Sequence, residues 1–228
     1  MNKPLKHRRI GVVVIGQSPR PTVASEIATV LSPGIGIDLR GALDGMSRAE
    51  IDAIPPRDGT DALFTLLPNG DAVKISKKAI ELRASLQLAQ LKHEGVGLTM
   101  LACTGKFPNL SKVSLLVLPS VVLHRIVDAV LPRGRIGVFS PLAEQTALID
   151  RNWRREGIEV VGVTLQPGPD GAAIDRAARA MADKHPDLVV MDCMSYSSAN
   201  KARVRLSYPG PVILAIAAAA RVVAELVS

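Results

Sequence analysis

Short apolar runs recur along this chain and are separated by longer stretches with helical patterns. The runs occupy residues 10–16, 96–102, 114–119, 135–140, 158–164, 187–192 and 211–215. Several of them lack any polar alternation, which is typical of parallel strands that are covered on both faces. Because strands alternate with helices in this way, we predict an α/β fold with mostly parallel sheets.

The segment between the first two apolar runs carries two further local patterns. Ser47 and Glu50 have the spacing of a capping box, in which both side chains bind free backbone amides at the start of a helix. The Asn-Gly pair at 69–70 lies between two extended runs and accepts the positive φ of a tight hairpin turn. Ser76 would then cap a helix that ends near His93. We predict a short helix, a hairpin and a long helix in this order.

The two halves of the chain resemble each other weakly. RRIGVVVIGQSP is echoed by GRIGVFSP, and VGLTMLACTG is echoed by DLVVMDCMSY. Each half opens with an Ile-Gly-Val strand and later ends a strand in a cysteine. This echo supports the hypothesis of two α/β units that are related by a pseudo-twofold axis and face each other across a cleft. We assign residues 1–120 plus 208–228 to the first lobe, to which the C-terminal segment returns, and residues 121–207 to the second.

The composition is that of a globular chain. Of 228 residues, 47% are hydrophobic and 21% are charged, which suffices for a sizeable core. The longest apolar run, at residues 211–228, contains Arg221 and Glu225, so we expect a buried strand and helix there and no membrane span. The basic N-terminus is followed by a strand pattern without a signal-peptide cleavage site, so we expect a cytoplasmic protein.

The net charge of +7 has two interpretations. Basic residues gather at 3–9 and 151–155. They either form a solvated tail and a charged helix face, or they draw anionic ligands to the protein. Nucleic-acid binding is the weakest hypothesis, because an aromatic content of 3% leaves few side chains to stack on bases.

Several common ligand motifs are missing from the sequence. The two cysteines and four histidines show no metal-ligand spacing, so we expect no metal site. Gly105-Lys106 resembles the end of a phosphate-binding loop, but Phe107 replaces the required hydroxyl residue and Met100 the first glycine. Neither a dinucleotide fingerprint nor a nucleophile elbow is present.

The remaining chemical pattern is a thiol at the end of a strand in each half. Small or hydroxylated residues follow both thiols, in Cys103-Thr104-Gly105 and Cys193-Met194-Ser195. Ligands bind at the carboxyl ends of parallel strands, and a nearby cation or helix start lowers a thiol pKa from about 8.5 towards the range of a general base. One thiolate would remove a proton next to a carboxylate or carbonyl while the other thiol delivers one. The alternative is a pair of inert core cysteines.

Other candidate residues surround these strand ends. After the first strand, Gln17, Ser18 and Arg20 offer an amide, a hydroxyl and a guanidinium that can fork onto a carboxylate. Alternatively, Ser18 caps a helix there. Ser140 and Gln145 occupy the equivalent region of the second half.

Three residues near the second cysteine have open roles. Tyr196 either donates its hydroxyl to the cleft or packs at the surface. Asp192 either orients a loop or raises the pKa of the neighbouring thiol by repulsion. Trp153 is expected in the core.

The segments IGQSPRP, LACTGKFP, MDCMSY and PVILAIAAAARVVAEL resemble the AroM family within the aspartate/glutamate racemase superfamily, over about residues 10–227. This resemblance implies two similar Rossmann-like lobes, an active-site cleft between them, no cofactor, and Cys103 and Cys193 as acid and base. The acidic and histidine partners that glutamate racemases place near these motifs are absent, since Gln17-Ser18, Thr104-Gly105 and Met194-Ser195 stand there. A carboxylic or dicarboxylic acid, or a hydantoin-like carbonyl compound, is therefore favoured over an amino acid.

The leading hypothesis is a cofactor-independent racemase or isomerase acting on a small organic acid. Its expected substrate-binding residues are Gln17, Ser18, Arg20, Thr104, Gly105, Ser140, Met194, Ser195 and Tyr196. A non-catalytic sensor of small anions and a one-thiol lyase or decarboxylase are the alternatives. The expected partner is a small carboxylate, and we expect no nucleic acid, membrane or metal to be involved. Assembly into a homo-oligomer is left as an open alternative.

Overall fold

The computed structural model describes residues 9–168 and 170–227, except for the side chain of Ser111. Most of the basic segment at 3–9 therefore lies outside the described residues. Within them, no helix combines the length and the apolar character that a membrane crossing requires.

The described strands and helices alternate along most of the chain. The strands are β1 (Arg9–Val14), β2 (Gly36–Gly41), β3 (Ala62–Leu66), β4 (Ala72–Ser76), β5 (Thr99–Ala102), β6 (Leu116–Val117), β7 (Gly134–Ser140), β8 (Ile158–Thr164), β9 (Leu188–Met191) and β10 (Val212–Leu214). The helices are α1 (Pro21–Ala28), α2 (Arg48–Asp52), α3 (Lys77–His93), α4 (Pro119–Val130), α5 (Ala143–Thr146), α6 (Ile149–Trp153), α7 (Gly171–Ala182), α8 (Ser198–Ser207) and α9 (Ala215–Val227). Every predicted apolar run overlaps a strand.

Two four-stranded sheets form the framework, one in each lobe. Their strand orders are β2-β1-β5-β6 and β10-β9-β7-β8, and all neighbours in both are parallel. The first strand of each half, β1 or β7, lies inside its sheet and pairs with the strand that precedes a cysteine. The α/β prediction is confirmed.

Strand β2 was not predicted from the sequence. Its residues, GIDLRG, include Asp38 and Arg40, which break the apolar pattern. Arg40 forms an ion pair with Asp38 at 3.0 Å, and β2 lies at the edge of its sheet. Edge strands accept charged side chains because one side of the strand is free of a neighbouring strand.

The local patterns between the first two runs are confirmed. Ser47 accepts a hydrogen bond from the Glu50 amide and the capping box is complete. Strands β3 and β4 pair antiparallel, and Gly70 in their connection has a φ of +91°. Ser76 caps α3, which ends at His93 as predicted.

The C-terminal segment is shared between the lobes. Strand β10 pairs with β9 of the second sheet, so residues 212–214 do not return to the first lobe as the predicted division had it. Helix α9 packs on α1 and α4. The sequence pattern predicts a buried strand here, but it does not indicate which strand β10 pairs with. That depends on where the preceding helix α8 ends.

Two buried hydrophobic clusters form the core. The larger buried cluster runs through both sheets and α9 and includes Cys193. A second cluster, beneath the β3–β4 hairpin and α3, includes Cys103. The two thiols are therefore held by well-packed surroundings on separate elements, which fixes their side chains in place.

Candidate active site

Each cysteine lies beyond the carboxyl end of a strand, Cys103 in the first lobe and Cys193 in the second. Cys103 directly follows β5, and Cys193 lies two residues after the end of β9. Both line one cleft between the sheets, whose cavity volume is about 40 Å³. The structure places the two thiols where the echo of the two halves predicts them.

The backbone presents the two sulfur atoms in the same way. The Sγ of Cys103 accepts a hydrogen bond from the amide of Gly105 at 3.3 Å, and the Sγ of Cys193 accepts one from the amide of Ser195 at 3.5 Å. In each half the donor is the second residue after the cysteine. An amide donor stabilises a thiolate relative to a thiol, so both positions are built alike for charge on sulfur.

Burial opposes this stabilisation in the free protein. The side chains of Cys103 and Cys193 are 7% and 8% exposed. Burial raises the pKa of Cys103 to about 12 and that of Cys193 to about 11. The expectation of a lowered thiol pKa is therefore wrong for the unliganded cleft, because desolvation outweighs the amide hydrogen bonds.

Arg20 joins the two lobes at the cleft. Its guanidinium donates to the Thr65 hydroxyl at 3.2 Å and the Leu66 carbonyl at 3.0 Å, and to the Ser195 hydroxyl at 3.2 Å. Burial lowers the pKa of Arg20, whereas the neighbouring Cys193 raises it. The predicted cation thus lies beside the second thiol, in a position to meet an anionic ligand.

Asp192 is the acidic side chain among the described residues that line the cleft. One of its carboxylate oxygens accepts a hydrogen bond from the Trp153 indole at 3.0 Å, and its backbone carbonyl accepts one from the Thr104 hydroxyl at 3.2 Å. Burial raises the pKa of Asp192 to about 6. Its charge also raises the pKa of both thiols, so the repulsion considered from the sequence is present. Trp153 is buried, as predicted.

Replacing Asp192 with Asn is expected to make both thiols react faster at pH 8, by at least about twofold, because the repelling charge is lost. Below about pH 5 the two proteins should react alike, since a carboxyl with a pKa of about 6 is then protonated in the wild type. The rate of reaction with 4,4′-dithiodipyridine measures this. Asp183→Asn, at an exposed aspartate, serves as the control. Equal rates for Asp192→Asn and the wild type at pH 8 would contradict the repulsion.

Two of the predicted binding residues face away from the cleft. Gln17 donates to the carbonyls of Leu43 at 3.3 Å and Met46 at 2.7 Å, and the Ser18 hydroxyl donates to Asp44 at 2.9 Å. These bonds tie the loop after β1 to the turn after β2. Because β2 was not predicted, nothing in the local pattern indicated that polar partners would meet Gln17 and Ser18. Ser18 does not cap α1 either, since Arg20 occupies the cap position without a capping hydrogen bond.

Ser140 and Tyr196 do not line the cleft between the thiols. The Ser140 hydroxyl lies 2.7 Å from that of Thr146, and Ser140 lines the neighbouring pocket on the side of α6, so its predicted role in substrate binding stays a prediction. Tyr196 is 1% exposed and donates its hydroxyl to the carbonyl of Leu165. A buried tyrosine needs a hydrogen-bond acceptor, and here the chain after β8 provides it. Gln145 does line the cleft and donates to the Ala62 carbonyl at 3.0 Å.

The β3–β4 hairpin contributes cleft residues that sequence reasoning missed. Arg20, Thr104, Gly105, Met194 and Ser195 line the cleft as predicted, and Leu63, Phe64 and Thr65 of β3 join them. The hairpin itself was predicted, but no local pattern indicates that its first strand covers the thiols. Among the described residues, no group of three His, Cys, Asp or Glu side chains is placed to hold a metal ion.

Solved structures show which class of proteins shares this two-lobed fold. Glutamate racemase from Francisella tularensis subsp. tularensis SCHU S4, in complex with D-glutamate, matches with a TM-score of 0.62 and 14% identity, over 96% of this chain and 81% of that one. Allantoin racemase from Pseudomonas fluorescens matches with a TM-score of 0.58 and 14% identity, over 96% and 90%. A maleate isomerase variant from Pseudomonas putida S16, with maleate, matches with a TM-score of 0.59 and 18% identity, over 94% and 89%. The chain therefore shares the fold of these two racemases and this isomerase.

Within this class the sequence has a definite family. It matches the AroM protein family over residues 10–227, so this chain belongs to the AroM family, as its motifs indicated. No curated protein sequence matches it.

Proposed function

We propose that this protein is an enzyme that moves protons at a carbon next to the carboxylate of a small organic acid, with Cys103 and Cys193 as the acid/base pair. The observation that carries this proposal is the pair of thiols that line one cleft, each with the amide of the second following residue bound to its sulfur. A reaction at both faces of one carbon needs such a pair of opposed groups.

The charges of the cleft favour Cys193 as the base. Arg20 lowers the pKa of Cys193. The pKa of Cys193, about 11, is also lower than that of Cys103, about 12, so Cys193 loses its proton more readily. In the proposed step, the C–H bond breaks, its proton moves to the Cys193 sulfur, and its electron pair enters an enolate. Cys103 then gives its proton to the opposite face of that carbon and is left as the thiolate.

Arg20 and the surrounding donors suit the charge that this step creates. The guanidinium beside Cys193 pairs with the substrate carboxylate, whose charge grows as the enolate forms. The Ser195 hydroxyl, which accepts from Arg20, keeps its own hydrogen as a donor to the cleft, whereas the Thr104 hydroxyl already donates to the Asp192 carbonyl. The solved structures that share this fold include one in complex with D-glutamate and one with maleate, both small carboxylates, which supports this substrate class.

Incubating the protein in heavy water with a panel of small mono- and dicarboxylic acids tests the proposal. Proton NMR should show loss of the signal from hydrogen on the carbon next to the carboxylate. Because both thiols are mostly protonated at neutral pH, the rate should rise about tenfold per pH unit between about pH 7 and 9. If no acid or hydantoin-like compound exchanges at any of these pH values, the proposal is wrong.

Replacing Arg20 with Gln is expected to weaken binding of an exchanging acid by about 30-fold, since a part-buried charged hydrogen bond is worth about 2 kcal/mol. Arg20→Lys should restore part of the affinity because it keeps the charge but loses the forked geometry. Arg125→Gln, which alters a side chain that is 80% exposed, is the control. Calorimetric affinities that are equal for Arg20→Gln and Arg125→Gln would exclude the proposed role of Arg20.

The raised thiol pKa values support a second candidate function, a non-catalytic receptor for small anions. Such a protein would bind carboxylates and protect its thiols from alkylation, yet it would exchange no carbon-bound proton. Protection of Cys103 and Cys193 without deuterium incorporation would favour the receptor over the enzyme.

A further inference from the structure

A second, larger pocket adjoins the thiol cleft on the side of α6. Its cavity volume is about 330 Å³, and we call it the outer pocket. Five residues line both the cleft and the outer pocket, namely Leu63, Thr104, Gly105, Gln145 and Asp192. The two pockets are therefore immediate neighbours that share one wall.

Three basic side chains from three different elements line the outer pocket. They are Lys77 at the start of α3, Lys106 after β5, and Arg151 in α6. The Lys106 ammonium lies 3.4 Å from the carbonyl of Asn152, and that of Lys77 donates to the carbonyl of Thr60 at 2.8 Å. Over residues 9–168 and 170–227, none of the three forms an ion pair within 4.0 Å. Lys77 lies near Asp58 and Asp61 and helps to lower the pKa of both carboxyls, so part of its charge is offset. Lys106 and Arg151 carry most of the charge that a ligand meets.

The other ionisable groups of the outer pocket do not cancel this charge. His124 stacks on Trp153 with ring centroids 4.0 Å apart, and burial together with the charge of Lys106 lowers its pKa to about 4, so it is neutral at pH 7. Asp192 is the acidic residue of the described lining, and Trp153 already holds one of its oxygens. Three cations thus face one carboxylate, which leaves the pocket positive.

We propose that the outer pocket binds a second anionic group at the far end of the substrate, so that the substrate is a dicarboxylate rather than a monocarboxylate. This inference rests on the proposed function in placing the first carboxylate at Arg20 in the cleft. Lys106 is the central residue of the new site, because it directly follows Gly105, whose amide binds the Cys103 sulfur. The thiol and the distal cation thus belong to one short loop, and a substrate held by both ends has its carbon positioned between the sulfurs.

Calorimetry with paired acids tests the site without requiring catalysis. Succinate, glutarate and adipate are compared with butyrate, valerate and caproate, the monocarboxylates of equal chain length. At least one dicarboxylate should bind about fivefold more tightly, or better, than the monocarboxylate of equal chain length. This is the effect expected of one solvent-accessible charge pair. The advantage should shrink as salt is added.

The variant Lys106→Gln should bind the preferred dicarboxylate about fivefold more weakly than the wild type does. Its affinity for the monocarboxylate of equal chain length should fall by less. Arg151→Gln should do the same to a smaller extent. Lys112→Gln, at an exposed lysine outside both pockets, is the matched control and should change neither affinity. Equal affinities for every pair in the wild-type protein, or equal losses for both acids in Lys106→Gln, would overturn the inference.

The two proposals fail in distinguishable ways. Selective dicarboxylate binding that depends on Lys106, without any deuterium exchange, would keep the outer site and remove the catalytic proposal. Exchange of monocarboxylates at the rate of dicarboxylates, with no difference between Lys106→Gln and Lys112→Gln, would keep the catalytic proposal and remove the outer site.

Discussion

Replacing either Cys103 or Cys193 with Ser is expected to lower deuterium exchange at the substrate carbon by about 10³-fold, within the range found for loss of a general acid or base. A serine hydroxyl ionises far less readily than a thiol, so Cys193→Ser loses the proposed base. Cys103→Ser loses the group that supplies the proton to the opposite face. Exchange rates measured by NMR in heavy water, separately for each enantiomer of a chiral substrate, distinguish the two losses.

Both variants must keep the fold for this comparison to be valid. Sulfur and oxygen differ little in size at these two positions, and thermal unfolding followed by circular dichroism checks that each variant melts as the wild type does. Full activity in either variant would exclude the two-thiol mechanism. Loss of activity in one variant alone would instead indicate a one-thiol lyase or decarboxylase.

Replacing Gly41 with Ala is expected to lower the free energy of unfolding by about 3 kcal/mol, the upper part of the usual range for overpacking. A Cβ at Gly41 would lie 2.5 Å from the carbonyl oxygen of Gly16 and 2.7 Å from the amide nitrogen of Ser18, and it would also clash with Asp44. Two of these neighbours are backbone atoms, which cannot rotate away. The loop that carries Arg20 would have to shift.

Urea denaturation measures the loss, and Gly59→Ala is the matched control. At Gly59 the nearest atom to an added Cβ is 3.4 Å away, in the side chain of Glu144, which is an ordinary contact. We expect the Gly59 variant to stay within about 0.5 kcal/mol of the wild type. A Gly41 variant that unfolds at the same urea concentration as the Gly59 variant would show that the loop accommodates the methyl group.

A comparison of β2 with β8 shows which strands the local sequence pattern predicts and which it misses. The run at residues 158–164 matches β8 residue for residue, because most of its residues are β-branched, and such residues favour strands. Strand β2 carries Asp38 and Arg40, which neutralise each other at the sheet edge, and a pattern of single residues does not contain that pairing. The omission had a consequence for the site, since the turn after β2 is what binds Gln17 and Ser18.

Arg20 and Tyr196 show the same limit for side chains. Both were candidates on the grounds of their chemistry and their position near a strand end. Arg20 reaches the cleft because acceptors on β3 and Ser195 of the other lobe surround it. Tyr196 is turned into the core because the Leu165 carbonyl lies there. The acceptors are distant in sequence, so no local signal separates the two cases.

The α/β class, the strands with apolar runs, the capped helices, the hairpin and the two cysteines at strand ends follow from the amino-acid pattern, because they depend on periodicity and on contacts between near neighbours. The folded arrangement of the elements sets the pairing of β10 with the second sheet, the cover of the hairpin over the thiols, and the meeting of Lys106 with Lys77 and Arg151 in an outer pocket. It also sets the thiol pKa values, since desolvation depends on every atom that packs around the sulfur and not on the residues beside it in the chain.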